Sequence, residues 1–185
     1  MQGCYLDGAG ARTCAPAGTS AEGDRCDADI CSPGNLCVNV HATAGMNLPM
    51  CKHFCDGHGD CTGAGSRCLV NITGSTDTVC TRHCDPSTNA GCPASTYCAF
   101  FTEMSGRVLT DCQGPPGATG QGGTCTDDGD CQVGFGCIGS PTSQCLRWCL
   151  TPGTVGGICG AGSACYGFMT PLVFNGREYG VCDTL

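Results

Sequence analysis

Cysteine is the residue type with the most potential chemistry in this sequence, since it can form disulfides, bind metals or act as a nucleophile. The chain has 22 cysteines among 185 residues, above the roughly 8–10% that marks a disulfide scaffold. Zinc ribbons, iron–sulfur sites and thioredoxin-like sites use Cys-x-x-Cys, because a two-residue gap brings both sulfurs to one centre. Neither that spacing nor Cys-Cys nor Cys-x-Cys occurs here. We therefore expect disulfides.

The cysteines form a repeat of four, named a, b, c and d in chain order, that occurs five times. The gaps are 4–9 residues from a to b, 5–6 from b to c and 7–16 from c to d. The five units are Cys26, Cys31, Cys37 and Cys51; Cys55, Cys61, Cys68 and Cys80; Cys84, Cys92, Cys98 and Cys112; Cys125, Cys131, Cys137 and Cys145; and Cys149, Cys159, Cys165 and Cys182. This regularity predicts a tandem array in which each unit contacts mainly its neighbours.

The spacing of the units divides the chain into two blocks. Residues 26–112 hold three units and residues 125–185 hold two, with a Gly- and Pro-rich linker at 113–124. We expect sparse contacts across this linker. Residues 1–25 contain Cys4 and Cys14, which resemble the c-to-d end of a unit without a and b. This half-unit either closes its own bridge or docks on another chain, and the even number of cysteines favours its own bridge.

The residues between c and d predict one β-hairpin in each unit. Short β-branched or aromatic runs precede turn signals there, at Val38–Val40, Leu69–Ile72, Ala99–Phe101 and Leu172–Phe174. Asn175-Gly176 predicts a type I′ turn, which needs two positive φ angles. The 31 glycines and 10 prolines argue against long helices,. The predicted fold is small, disulfide-rich and mainly β, with helical turns expected only in three-residue d-to-a spacers such as Leu146-Arg147-Trp148.

Four cysteines allow three pairings, and the sequence alone does not decide among them. Cysteines c and d lie at the two ends of the hairpin. Pairing a with c and b with d would therefore attach both preceding loops to the hairpin base. This interlocked order is the pairing that we expect.

The segment from Cys125 to Cys137 resembles the tandem cysteine-rich modules of secreted proteins, of the EGF-like and Dickkopf-like kind. The resemblance rests on cysteine spacing, with an Asp before b and a Gly before c, and it extends as a pattern from Cys26 to Cys182. The Cys-x-Cys step of EGF modules is absent. The resemblance implies a disulfide-stapled β scaffold used for binding or for structure.

No catalytic motif is present, and we expect no catalytic residue, no cofactor and no metal. Two metal sites are the alternatives. His53 and His58 with Asp56 or Asp60 have ligand side chains at close spacing, although a solvated loop is the simpler interpretation. Oxygen clusters at residues 27–29 and 127–130 suit calcium, but they lack the other ligands of an EF-hand loop. Asp is also favoured in turns, since its side chain accepts hydrogen bonds from nearby backbone amides.

Charge and composition restrict the partners and the location of the protein. The formal net charge is −8 with a single lysine, Lys52, so the sequence offers no basic surface for nucleic acid,. No apolar run approaches the roughly 18 residues of a membrane span. Disulfides require an oxidising compartment, which predicts an extracellular or cell-surface protein. The given sequence has no signal peptide, and we expect that one was removed or trimmed.

Two classes of function remain, and both predict a protein partner. In the first, the chain is a non-enzymatic structural or adhesive protein that packs into a filament, array or matrix. In the second, it is a monomeric binding module or protease inhibitor. Apolar hairpin residues are candidate contacts in either case, although they also suit a role in covering the disulfides. These residues are Phe100, Phe101, Met104, Phe168, Met169 and Phe174.

The first prediction is that all 22 cysteines form 11 bridges within the chain and bind no metal. Intact-mass spectrometry before and after reduction should then show a gain of about 22 hydrogens, as the cysteine count requires. Stoichiometric zinc in elemental analysis, or free thiols in more than one pair, would contradict the prediction.

Overall fold

The structure is a computed structural model that describes residues 2–6, 11–26, 30–40, 48–63, 65–72, 75–139 and 141–185, with only the backbone of Cys4, Leu6 and Arg12. The predicted oxygen cluster at residues 27–29 lies outside the described residues. The described part of the chain is mainly β and contains no helix of seven or more residues, which confirms the predicted fold class.

Twelve strands account for most of the regular structure. They are β1 (Gln2–Leu6), β2 (Arg12–Pro16), β3 (Asn35–Asn39), β4 (Pro49–Cys55), β5 (Cys68–Asn71), β6 (Thr78–Cys80), β7 (Tyr97–Thr102), β8 (Val108–Gln113), β9 (Phe135–Ile138), β10 (Gln144–Leu150), β11 (Ser163–Phe174) and β12 (Arg177–Thr184). Three single-turn 3-10 helices lie at His58–Asp60, Asp128–Asp130 and Gly157–Cys159. The first two end directly before cysteine b of their unit, and the third ends at cysteine b, Cys159.

Each unit has its hairpin between cysteines c and d, as predicted. In every hairpin these two cysteines are direct cross-strand partners. The β11–β12 hairpin turns at Asn175 and Gly176, whose φ angles are 49° and 72°. These positive values match the type I′ turn that Asn-Gly favours.

The disulfides have the interlocked order in all five units, with a bonded to c and b bonded to d. The bridges are Cys26–Cys37, Cys31–Cys51, Cys55–Cys68, Cys61–Cys80, Cys84–Cys98, Cys92–Cys112, Cys125–Cys137, Cys131–Cys145, Cys149–Cys165 and Cys159–Cys182. Cys4 and Cys14 face each other across β1 and β2, and their bridge stays a prediction. Because c and d are neighbours, the two bridges hold the a-to-b loop against one end of the hairpin.

One side chain in the a-to-b loop also ties that loop to the hairpin. Three residues before b, His58, Asn89 and Asp128 each accept a hydrogen bond from the backbone N–H of cysteine c in their unit, at 3.2, 2.8 and 2.6 Å. Burial raises the pKa of Asp128, which the bond to the Cys137 amide partly offsets. Units 2, 3 and 4 therefore share this side-chain contact in addition to the cysteine pattern.

The expectation of helical turns in the d-to-a spacers is wrong for two of them. Residues 52–54 and 146–148 are extended within β4 and β10. Each of these strands leaves its own hairpin and pairs with the hairpin of the next unit, giving sheets of order β3-β4-β6-β5 and β11-β12-β10-β9. A helical turn would leave the backbone groups of the shared strand without partners. Units 1 and 2 are thus joined by a common strand, as are units 4 and 5, whereas the β7–β8 hairpin of unit 3 forms a sheet of its own.

The core consists of small clusters around the disulfides. Fourteen of the 28 buried apolar residues in the described chain are cysteines. Separate clusters surround the bridges of units 3, 4 and 5. Covalent bonds therefore take the place of a single large apolar core, as the low content of large aliphatic residues predicts.

The segment between the two blocks packs on unit 4. Thr119 forms a parallel bridge with Cys131, and Ser20 forms the same bridge with Cys31 ahead of unit 1. A Cβ added to Gly117 would overlap the Asp130 carbonyl oxygen. Glycine is therefore needed here for close backbone approach. The segment therefore packs on unit 4, and the division of the chain into two blocks at residues 113–124 stays a prediction.

The two blocks also contact each other through aromatic side chains. Phe100 of block one lies with its ring centroid 5.0 Å from those of Trp148 and Tyr179 and 6.1 Å from that of Phe174. Burial raises the pKa of Tyr179 to about 12, and the nearby Asp85 carboxylate contributes in the same direction. The ring of Phe100 therefore joins the two blocks in this structure.

The second prediction concerns this contact. Phe100→Ala should lower the free energy of unfolding by about 2 kcal/mol, because a half-buried aromatic side chain and its ring contacts are lost. Urea unfolding followed by the fluorescence of Trp148 measures the change at the contact itself. Phe101→Ala is the matched control on the same strand, and its effect should stay within about 0.5 kcal/mol. Equal effects of the two substitutions would contradict the aromatic contact as a source of stability.

Candidate functional site

The six candidate contact residues separate into two groups. Phe100 and Phe174 belong to the aromatic contact between the blocks, and Phe168 lies beside it, with its ring centroid 6.1 Å from that of Trp148 within block two. Phe101, Met104 and Met169 are exposed, and both methionines are fully so. The exposed group is therefore the one that is available for a partner.

Phe101 and Met104 lie in an apolar groove of about 650 Å³ between units 2 and 3, which we call the hairpin groove. One wall is β5 at the outer edge of its sheet, and the other is one face of the β7–β8 hairpin with its turn. The lining residues are Leu69, Val70, Asn71, Thr81, Phe101, Thr102, Glu103, Met104, Ser105, Leu109, Asp111 and Gln113.

Strand alternation explains why adjacent phenylalanines have different surroundings. Successive side chains of a strand point to opposite faces. Phe101 pairs with Leu109, and both line the groove. Phe100 pairs with Thr110 and contacts block two from the opposite face. The β7–β8 hairpin therefore joins the blocks with one face and forms the groove with the other.

A buried ion pair fixes the floor of the groove. The Lys52 Nζ atom lies 2.5 Å from Oδ1 of Asp111, and the two residues are only 5% and 3% exposed. The same oxygen accepts hydrogen bonds from the backbone N–H groups of Arg82 and Cys112 at 2.8 and 2.9 Å. The sole lysine of the chain thus links unit 1 to unit 3. Sequence analysis missed this role because nothing in the spacing pairs a lysine with an aspartate 59 residues away.

Glu103 gives the rim of the groove its charge. Its Oε2 atom accepts a hydrogen bond of 2.8 Å from the exposed Ser105 hydroxyl, whereas Oε1 is buried and has no hydrogen-bond partner in the described structure. An unpartnered buried acceptor is costly, because the group has lost water without gaining a donor. Glu103 is therefore a candidate contact that sequence analysis did not identify.

The alternative metal site at the histidines is not assembled. The Nδ1 atom of His58 accepts a hydrogen bond from the Cys68 amide, and Oδ2 of Asp60 accepts from the amides of Asp56 and Gly57. These bonds lower the pKa of Asp60. Within the described ranges, the only groups of three or more metal-ligating side chains are cysteines, and all of those are in disulfides.

The aspartates proposed as calcium ligands in unit 4 bond to the backbone instead. Asp127, Asp128 and Asp130 accept hydrogen bonds from the amides of Gly129, Cys137 and Thr126, respectively. The bonds from Thr126 and Asp127 lower the pKa of Asp130. These contacts are the turn role that the sequence analysis gave as the alternative to calcium.

Comparisons with known proteins give no family for this chain. It matches no protein-family model, no curated protein and no solved structure. Among the described residues, no helix has the length and apolar character needed to cross a membrane.

The third prediction tests the ion pair under the groove. Lys52→Met should lower the free energy of unfolding by about 3 kcal/mol or more, because Asp111 is left as an uncompensated buried charge. Lys52→Met combined with Asp111→Asn should recover most of this loss, since both charges are removed while the Asn oxygen still accepts from the backbone N–H groups of Arg82 and Cys112,. Thermal unfolding with the disulfides intact gives the comparison. A double variant no more stable than the single variant would contradict the role of the pair.

Proposed function

We propose that the chain is a non-enzymatic extracellular protein that binds another protein through the hairpin groove. The observation that carries the proposal is the groove itself, whose walls come from two different stapled units and whose floor is fixed by the Lys52–Asp111 pair. A preformed groove loses little conformational entropy on binding, which favours affinity. The ten disulfides are typical of extracellular proteins and support that location,.

The structure favours a binding module over self-assembly through the N-terminal half-unit. Tyr5 is buried with the cysteines of unit 1, and its hydroxyl donates to the Cys31 carbonyl oxygen at 2.8 Å. The same hydroxyl accepts a hydrogen bond from the Gly18 amide at 2.9 Å. Tyr5 therefore packs on its own chain, which argues against the half-unit as a docking element of an assembly.

A structural or adhesive protein is the second candidate function. It is supported by the two fully exposed methionines, Met104 and Met169, and by a charged fraction of only 13%. In soluble domains, about a quarter of all residues are usually charged. Because a surface with few charges has few hydrated groups to desolvate, it opposes close packing of chains less strongly than the surface of a typical soluble domain does.

The fourth prediction distinguishes these two functions by oligomeric state. Sedimentation velocity over a wide concentration range should show a monomer, because the half-unit is already buried within its own chain. Deletion of residues 1–14 should leave the monomer unassociated but less stable, since Tyr5 and its hydrogen bonds are lost. Concentration-dependent oligomers that shrink on Met169→Glu would instead support the assembly, with Asn175→Asp as a control that adds the same charge elsewhere.

A further inference from the structure

We propose that the hairpin groove binds an extended segment of a partner protein that carries a basic residue beside apolar residues. This inference rests on the proposed function and names the chemistry of the partner. It follows from three properties of the groove: an open strand edge, an apolar surface and an acidic rim.

The open strand edge sets the backbone conformation of the bound segment. Strand β5 is the outer strand of its sheet and pairs only with β6. Its other side faces the groove, where Leu69, Val70 and Asn71 form one wall. An extended peptide is the structure that pairs with such an edge, because its backbone donors and acceptors match those of the strand.

The apolar surface of the groove determines which side chains the bound segment needs on the side that faces the groove. Leu69 and Phe101 are partly exposed on opposite walls, and Leu109 is buried between them and the floor. The fully exposed Met104 lies at the turn, and the flexible methionine side chain adapts to different apolar partners,. An apolar residue on the groove-facing side of the segment would cover these side chains.

The acidic rim sets the charge of the segment. Among the described residues that line the groove, Glu103 and Asp111 are the only charged ones. Asp111 is already neutralised by Lys52, so Glu103 retains an uncompensated charge at the rim. A lysine or arginine in the segment would pair with the Glu103 carboxylate through its exposed Oε2 atom, whose hydrogen bond otherwise comes from the Ser105 hydroxyl,.

The net charge of the chain argues against a second copy as the occupant. Each copy has a formal charge of −8, so two copies repel each other at long range,. A basic segment is attracted by the same field, which also speeds its encounter with the groove. The charge therefore favours a different protein over self-association.

The test uses three pools of synthetic heptapeptides with random apolar and β-branched residues at every position except the centre. The central residue is Arg in one pool, Gln in the second and Glu in the third. The full chain, immobilised at low salt, should retain the Arg pool about tenfold more strongly than the Glu pool, as a charge-assisted hydrogen bond allows. Equal retention of the three pools, or retention of none, would overturn the inference.

Two variants and a control locate the binding. Glu103→Gln should abolish the preference for Arg while keeping part of the retention, and Leu69→Asp should abolish retention altogether. Met169 lies outside the groove, so Met169→Gln should change neither the preference for Arg nor the retention. Disulfide mapping establishes that each variant has the parental bridges, and hydrogen exchange should show peptide-dependent protection of the β5 amides. Binding that survives Leu69→Asp with parental bridges would overturn the inference.

The outcomes separate this inference from the proposed function. A monomer that retains no pool refutes the basic segment but leaves protein binding through the groove. If the chain self-associates and Leu69→Asp prevents that self-association, the basic segment and the proposed function are both refuted. The groove would then be an interface between copies of the chain.

Discussion

The structure depends on the interlocked pair of disulfides at the base of each hairpin. Cysteines c and d are cross-strand neighbours, and their partners a and b bring the preceding loop onto the same end of the hairpin. A single bridge that closes a loop of about 15 residues stabilises by roughly 3 kcal/mol in the chain-entropy model. Because the bridges supply this stability locally, most units need few large apolar residues of their own. Apolar side chains such as Phe101 and Met104 are then left on the surface.

The local features of the fold could be predicted from the sequence because they depend on neighbouring residues. Cysteine spacing gave the units, the short β-branched runs gave the hairpins, and Asn175-Gly176 gave the turn with two positive φ angles. The interlocked pairing was the expected one of three, because c and d lie at the hairpin ends, although the spacing alone did not decide it. Each of these conclusions needs only the residues of one unit.

The relations between units could not be predicted in this way. The spacer at residues 146–148 is extended because β10 pairs with β12 of the next unit, which no residue in the spacer indicates. The glycines at 113–124 suggested a linker, whereas Gly117 allows the backbone to approach Asp130. The groove has the same origin, since its two walls belong to different units. Without the β7–β8 hairpin opposite it, β5 would be an exposed strand edge and would not form a groove.

Burial of the single lysine connects the fold to the recognition chemistry. Lys52 neutralises Asp111 inside the molecule and so holds units 1 and 3 together beneath the groove. The surface thereby loses the only lysine side chain of the chain. The chain then has seven arginines as its remaining permanently charged cations, against 16 acidic residues. Arg82 donates to the carbonyl oxygens of Gly91 and Glu22, and Arg177 lies 3.8 Å from a carboxylate oxygen of Asp85. An acidic surface with an apolar groove selects partners by opposite charge first and by shape second, because the field acts before contact and the groove only after it.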